Sequence, residues 1–213
     1  MKVVAVSDIH MRNIETPPAD LLLVAGDMTF RGDKEELDWY EDWLSSQPQR
    51  HKVWIAGNHE LGIERFPTWA SRIAKNSNSI YLEDSGVEIE GLSLWGSPMT
   101  PWFRNWAFNR HRGEEIKTHW RMIPEGTDIL MTHGPPFGYM DLSREGEHVG
   151  CEDLLDVLNY LDYPPQVLVF GHIHGGYGEE EHKRPDGKII KLINASTCDE
   201  KYLPTNQPII FEI

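Results

Sequence analysis

Cysteine is scarce: Cys151 and Cys198 are the only two in 213 residues, and they stand far apart. That excludes a disulfide framework and the paired spacing of a zinc knuckle or redox motif. Long apolar runs are missing too, since nothing approaches the roughly 20 residues that a membrane-spanning helix requires. No basic stretch, apolar core and small-residue cleavage site precede the strand-like run Met1–Val6. A cytoplasmic location with reduced thiols is therefore expected. Positive charge is also short, with 20 Lys and Arg against 34 Asp and Glu and a net charge of -14. A chain so acidic is poorly suited to gripping a long nucleic acid, which takes many phosphate-neutralising cations. It can still accept a small phosphate ester, because bound divalent cations reverse the local field. Low-complexity tracts, internal repeats and Ser/Gly linkers are absent as well. Residues 1–213 are expected to form one domain.

Short aliphatic runs alternate with amphipathic stretches, which predicts a layered α/β domain. Val3–Ser7, Leu21–Ala25, Val53–Ala56, Ile129–Thr132 and Val167–Phe170 read as buried strands. Asp33–Ser46 reads as a helix opened by a capping box, Asp33 with Glu36, with Leu37, Tyr40, Trp43 and Leu44 on one face. Glu64–Lys75 and Glu152–Leu161 are further helix candidates. Gly86–Trp95 alternates like a hairpin, and Lys188–Ala195 and Pro208–Ile213 add strands. Two packed sheets with helices outside are expected.

Each buried run ends in a particular kind of polar sequence. These are Asp8-Ile9-His10, Gly26-Asp27, Gly57-Asn58-His59-Glu60, His133-Gly134 and Gly171-His172-Ile173-His174. Loops after the carboxyl ends of strands in α/β folds converge on one crevice. Carboxylate, imidazole and amide oxygen suit Mn, Fe or Zn, and no thiolate is offered. The Asp8-x-His10 spacing points both side chains to the same side of an extended segment, and His172-x-His174 does the same. The glycines before Asp27, Asn58 and His172 are expected to let the backbone turn sharply toward the metals. Each motif alone is weak; all of them in order, each at a strand end, point to one two-metal site.

That order resembles the calcineurin-like metallophosphoesterase superfamily, whose pattern is D-x-H, GD, GNH(D/E), H and GHxH. The resemblance implies a four-layer αββα sandwich of two mixed β-sheets flanked by helices. It implies two divalent transition-metal ions, Mn foremost, with Fe, Zn, Ni or Co as alternatives. Asp8, His10, Asp27 and His174 would hold one; Asp27 as bridge, with Asn58, His133 and His172, would hold the other. Asn58 and His59 would meet the substrate, His59 from outside the ligand set. A narrower likeness, to the animal metallophosphoesterase-domain-containing brain proteins, is carried by Gly96-Ser97-Pro98, Trp106-Ala107-Phe108, Thr132–Pro136, Val149-Gly150-Cys151, Ile193–Cys198 and Pro204–Phe211. That subgroup implies small phosphodiesters as substrates, cyclic nucleotides (2',3' or 3',5') first. Some members replace the first His of GHxH by Gly and are impaired; this chain keeps His172. The expected step is in-line attack on phosphorus by a hydroxide bridging the metals, with His59 assisting the leaving group and Asp27 orienting His59. The rivals are a phosphomonoesterase or protein phosphatase, and a nucleotide-binding scaffold with weak activity.

Ser97–Arg112 is dense in aromatic and basic residues and reads either as a cap that stacks a base or as ordinary packing, the latter favoured for Trp106 and Phe108. Pro135–Tyr139 reads equally as a wall beside the site or a structural turn. Asp141–His148 is expected to be a surface loop. His51, His111, His119 and His182 lack ligand spacing and are expected on the surface. Lys183–Gly187 is expected to be a hairpin turn.

Overall fold

A computed structural model describes residues 1–213. The chain opens with β1 (Lys2–Val6), β2 (Leu21–Ala25), α1 (Lys34–Ser46), β3 (His51–Ile55), α2 (Leu61–Arg65) and α3 (Thr68–Asn76). It continues with β4 (Ile80–Tyr81), β5 (Ser85–Ile89), β6 (Leu92–Ser97), β7 (Thr100–Pro101), β8 (Asn109–Arg110) and α4 (Glu114–Trp120). The last part holds β9 (Ile129–Thr132), α5 (Glu152–Tyr160), β10 (Val167–Phe170), β11 (Gly178–Lys183), β12 (Ile189–Asn194) and β13 (Ile209–Glu212).

One sheet has five strands in the order β13-β1-β2-β3-β4, all parallel except β13. The other has six, in the order β11-β12-β10-β9-β6-β5, parallel in its centre with an antiparallel strand at each edge. The sheets face each other across a core that includes Val3, Ala5, Leu23, Ile55, Met131, Val169 and Ile193. The alternate residues Val4, Val6, Leu22 and Val24 turn to the outer side and pack with Leu37, Tyr40 and Leu44 of α1. On the second sheet Leu130, Leu168 and Phe170 do the same toward Leu154 and Leu158 of α5 and Trp120 of α4. Both faces of the central strands are covered, which is why they read as continuous aliphatic runs rather than alternating ones. Truncating one such residue, Leu23 for instance, would cost about 2–5 kcal/mol in lost transfer energy and cavity.

Some expectations need correction. The helix expected over 64–75 is two helices, parted at Phe66-Pro67. Proline disfavours helical backbone at the residue before it and then starts the next helix well. The capping box at α1 is half made: Asp33 accepts from Glu36 N–H at 3.0 Å. The Glu36 carboxylate instead accepts from the N–H groups of Phe30, Arg31 and Gly32 at 2.7–3.1 Å, fixing the turn after β2. β11 was not among the expected strands; its run Glu179-Glu180-Glu181 puts charge on an edge strand, which blocks further pairing. The turn over 184–187 does join β11 to β12 as a hairpin.

Candidate metal centre

β1, β2 and β3 of one sheet and β9 and β10 of the other all end at the same place, and the motif residues follow those ends. Asp8, His10, Asp27 and Asn58 are buried, His133 fully so; His59, His172 and His174 are partly exposed. The chain does not stay extended there. Asp8, His10, Met11, Asp27 and His172 all have left-handed backbone, with φ of 51°, 40°, 58°, 54° and 68°. Such values cost non-glycine residues energy and persist where surrounding bonds over-determine them. Asp8 and His10 therefore converge through a turn, not through strand alternation. His172 and His174 join different clusters of the same site.

Three clusters have ligating atoms within 4.8 Å of one another: Asp8, His10 and His174; His10, Asp27 and His59; Asp27, His133 and His172. Asp27 and His10 each belong to two of them. The imidazoles are aimed by a shared device. Nδ1 faces a backbone carbonyl in His10 (Thr29, 2.9 Å), His59 (Phe30, 2.7 Å), His133 (Ala25, 2.9 Å) and His174 (Asp199, 2.8 Å). A nitrogen that donates to a carbonyl carries its proton, so in the neutral ring Nε2 keeps the lone pair that a metal takes.

The Nε2 atoms crowd together. Those of His10 and His174 lie 3.3 Å apart. His133 Nε2 is 3.0 Å from Asn58 Oδ1 and 3.2 Å from Asp27 Oδ2. Asp8 Oδ2 accepts from His172 N–H and from Ser196 Oγ–H, both at 2.9 Å. Asp8 Oδ1 is buried with no hydrogen-bond partner; His174 Nε2 stands 3.2 Å away but out of alignment. An orphaned carboxylate oxygen beside two facing imidazole nitrogens is a poor hydrogen-bond network and a good donor set for a cation. The residues fit the expected metals.

Charge is balanced to match. Burial works against ionisation of Asp8 and Asp27, but the neighbouring imidazoles outweigh it and hold both below the ordinary carboxylate range. Burial also opposes charge on His133 and His174, yet their Asp partners lift each to about 9. Burial and the positive His133 push His172 down to about 4, and burial lowers His10.

Sequence reasoning gave Glu60 no role, although it completes the Gly-Asn-His-Glu motif. Its carboxylate is fully buried and accepts from Asp27 N–H (3.0 Å), Thr29 N–H (3.0 Å), Thr29 Oγ–H (2.8 Å) and Gly57 N–H (2.6 Å). It thus clamps the loop after β2 to the loop after β3. Gly57 sits inside that clamp with no room for a side chain: a Cβ there would come within 2.6 Å of Asp27 N and 2.7 Å of His133 Cε1. Its glycine serves close approach rather than the turn that was expected. Gly171 is similar, since a Cβ would strike Asp8 Oδ2. Asp27 stands close enough to pair with a charged His59 ring but makes no hydrogen bond to it. It accepts from His59 N–H at 2.8 Å, while its carboxylate is 3.8 Å from Nε2.

Around the site, Tyr202 sets its ring edge-on to His10 and His174, at 4.7 and 5.4 Å between centroids. No motif foretells it. Phe108 is core, as expected, but Trp106 is not: its ring stacks on His59 at 4.3 Å. Arg110 and Arg112 are structural ties, to Glu64 and His119 and to the carbonyls of Val149 and Gly150. Phe137 N–H donates to the Cys151 carbonyl, and Cys151 N–H to that of Pro135, so this stretch is a pinned structural turn. Asp141 is buried and accepts from Gly138 N–H, Gly150 N–H and His148, which makes the expected loop an anchored one. His182 is buried between Tyr139 and Asn159, and His119 pairs with Asp84; neither is the surface histidine expected.

The sequence profile of the calcineurin-like phosphoesterases matches residues 1–176. The chain belongs to that family. It is accordingly a metal-dependent phosphoric ester hydrolase by descent. It is 39% identical to the human metallophosphoesterase domain-containing protein 1 over 236 aligned residues, covering 100% of this chain and 71% of that one. It is 24% identical to a 3',5'-cyclic-nucleotide phosphodiesterase of Nostoc over 193 residues, covering 85% and 64%. TT1561 of Thermus thermophilus shares its fold, with a TM-score of 0.58 at 11% identity over 91% of this chain and 88% of that one. The helices outside two large mixed sheets are the arrangement expected for the family.

Proposed function

We propose that this calcineurin-like phosphoesterase hydrolyses small phosphodiesters, cyclic nucleotides first among them, with two divalent cations, Mn foremost, in the cytoplasm. The observation that carries the reading is Asp27, whose carboxylate belongs to the His10–His59 cluster and to the His133–His172 cluster at once. Asp8, His10, Asp27 and His174 would hold one cation, and Asp27, Asn58, His133 and His172 the other. Bound cations supply Lewis acidity, lowering the pKa of water and neutralising phosphoryl charge. The chain's own part is to fix the donors and to present His59. Phe30 holds Nδ1 of that ring, so Nε2 is the atom turned to the site. From there it assists departure of the alkoxide. In ligating distance His59 matches the ligands, standing in a cluster with His10 and Asp27. Its place outside the ligand set is therefore a statement about metal content in His59→Ala.

The test is a side-by-side assay of metal-free and Mn-loaded protein on 2',3'- and 3',5'-cyclic AMP, p-nitrophenyl phosphate and a phosphopeptide. Metal-dependent turnover fastest on a cyclic diester supports the reading. Preference for the monoester or the phosphopeptide would reassign the substrate class. Nucleotide binding without turnover in any metal would make the chain a scaffold.

A further inference from the structure

Trp106 reaches His59 from a segment that supplies no ligand. Thr100 N–H donates to the Phe108 carbonyl at 3.0 Å and Trp102 N–H to that of Arg110 at 2.9 Å, closing residues 100–110 into a compact loop. Left-handed backbone at Arg104 and Phe108, with φ of 54° and 55°, makes its bends. Ala107 N–H then donates to the Asn58 carbonyl at 3.0 Å, and Phe108 N–H to Glu64 Oε1 at 2.9 Å. The first of these joins the neighbour of Trp106 to the neighbour of His59. It delivers the indole face to the imidazole, with centroids 4.3 Å apart and planes 28° from parallel. On its other flank the imidazole meets the His10 ring edge-on at 4.8 Å.

One hydrogen bond, from Nδ1 to Phe30, holds the His59 ring at one edge, and with His10 on one flank the ring keeps freedom to tilt toward the other. A flat wall removes that freedom. Loss of orientation at a reacting group is costly even when no contact to the substrate is lost. We propose that Trp106 is a positioning residue which holds the His59 ring so that Nε2 faces the leaving oxygen of the phosphodiester. This rests on the reading of His59 given above. In the step concerned, water oxygen bonds phosphorus while the bond from phosphorus to the leaving oxygen breaks. The electron pair stays on that oxygen, which takes the Nε2 proton of a doubly protonated His59 ring; the ring is left neutral with its Nδ1 proton on the Phe30 carbonyl, and the proton lost by the water passes to solvent.

The experiment compares methyl phenyl phosphate with methyl 4-nitrophenyl phosphate on the Mn-loaded full chain. The phenolate is the poorer leaving group and depends more on assistance. For Trp106→Leu, kcat on the phenyl ester is expected to fall about tenfold and on the nitrophenyl ester by no more than about twofold. KM and metal content stay at the wild-type level, and Trp106→Phe restores most of the loss. Trp106→Met is read in the same way if the Leu variant does not fold. His59→Ala should show the same dependence on leaving group, but larger. Equal losses on both esters in the Trp106 variants, or none, with His59→Ala still selective, would overturn the positioning role alone. Equal losses on both esters in His59→Ala would overturn the reading of His59 and this proposal with it.

Discussion

The Asp8–His10–His174 group and the Asp27–His133–His172 group offer the same donors, one carboxylate and two imidazoles, on different supports. Asp8 is fastened across the two sheets, by Ser196 and by the backbone of His172. Asp27 is fastened within the first sheet, by the His59 backbone and by Glu60 at its own N–H. Asp8 Oδ1 and Asp27 Oδ2 each stand 3.2 Å from an imidazole Nε2, of His174 and of His133, and Asp27 Oδ2 has His59 Nε2 at 3.8 Å as well. In each group the Asp raises one imidazole to about 9 while burial keeps the other low. The difference teaches that Asp8 ties the loops of the two sheets together at the site, whereas Asp27 reaches the imidazoles of two clusters.

Removing the joining carboxylate should do the most. Asp27→Ala is expected to abolish turnover and deplete both cations, whereas Asp8→Ala should spare the one held by Asp27, His133 and His172. Elemental analysis after dialysis distinguishes the two; equal depletion would erase the contrast. His59→Ala should lower turnover by about 10² with metal retained, and parallel loss of metal would place His59 among the ligands.

Glu60 tests the support rather than the donors. Glu60→Gln turns an amide N–H₂ toward N–H groups that need acceptors, at a cost of about 1–3 kcal/mol. Metal affinity should fall about 10–100-fold, as is usual when such outer contacts are lost. A melting curve and a metal titration check both, and an unchanged affinity would make Glu60 a purely structural clamp. The smallest effect is on pH dependence without metal. His133 and His174 sit at about 9 in the fold against the ordinary 6.5 of histidine, so the folded state binds the extra protons. Their contribution is complete below 6.5 and is lost as pH rises through 9. The melting temperature in chelator should therefore decline across that window, and a flat profile would contradict the Asp–His pairing in both groups.

The central strands and the ends of β1, β2, β3, β9 and β10 were legible because burial on both faces leaves an aliphatic run, and polar residues mark where it stops. The geometry beyond those ends was not. Left-handed turns at Asp8, His10 and His172 have no local signature, so the bends that shape these loops could not be read from alternation. Glu60 lay in plain view within its motif, but its partners are backbone groups that no sequence displays. Trp106 looked like packing because its contact with His59 depends on how a distant loop closes. The acidic run of β11 was hidden for the opposite reason, being strand by position at a sheet edge rather than by composition.

The proposed site turns on Asp27 linking two cation positions. Titrating Mn into metal-free protein by calorimetry, with diester hydrolysis followed on the same samples, addresses it directly. The account predicts two Mn per chain in the wild type, turnover that rises with filling of both, and no bound Mn in Asp27→Ala. One Mn per chain with full turnover, or two retained in Asp27→Ala, would contradict it.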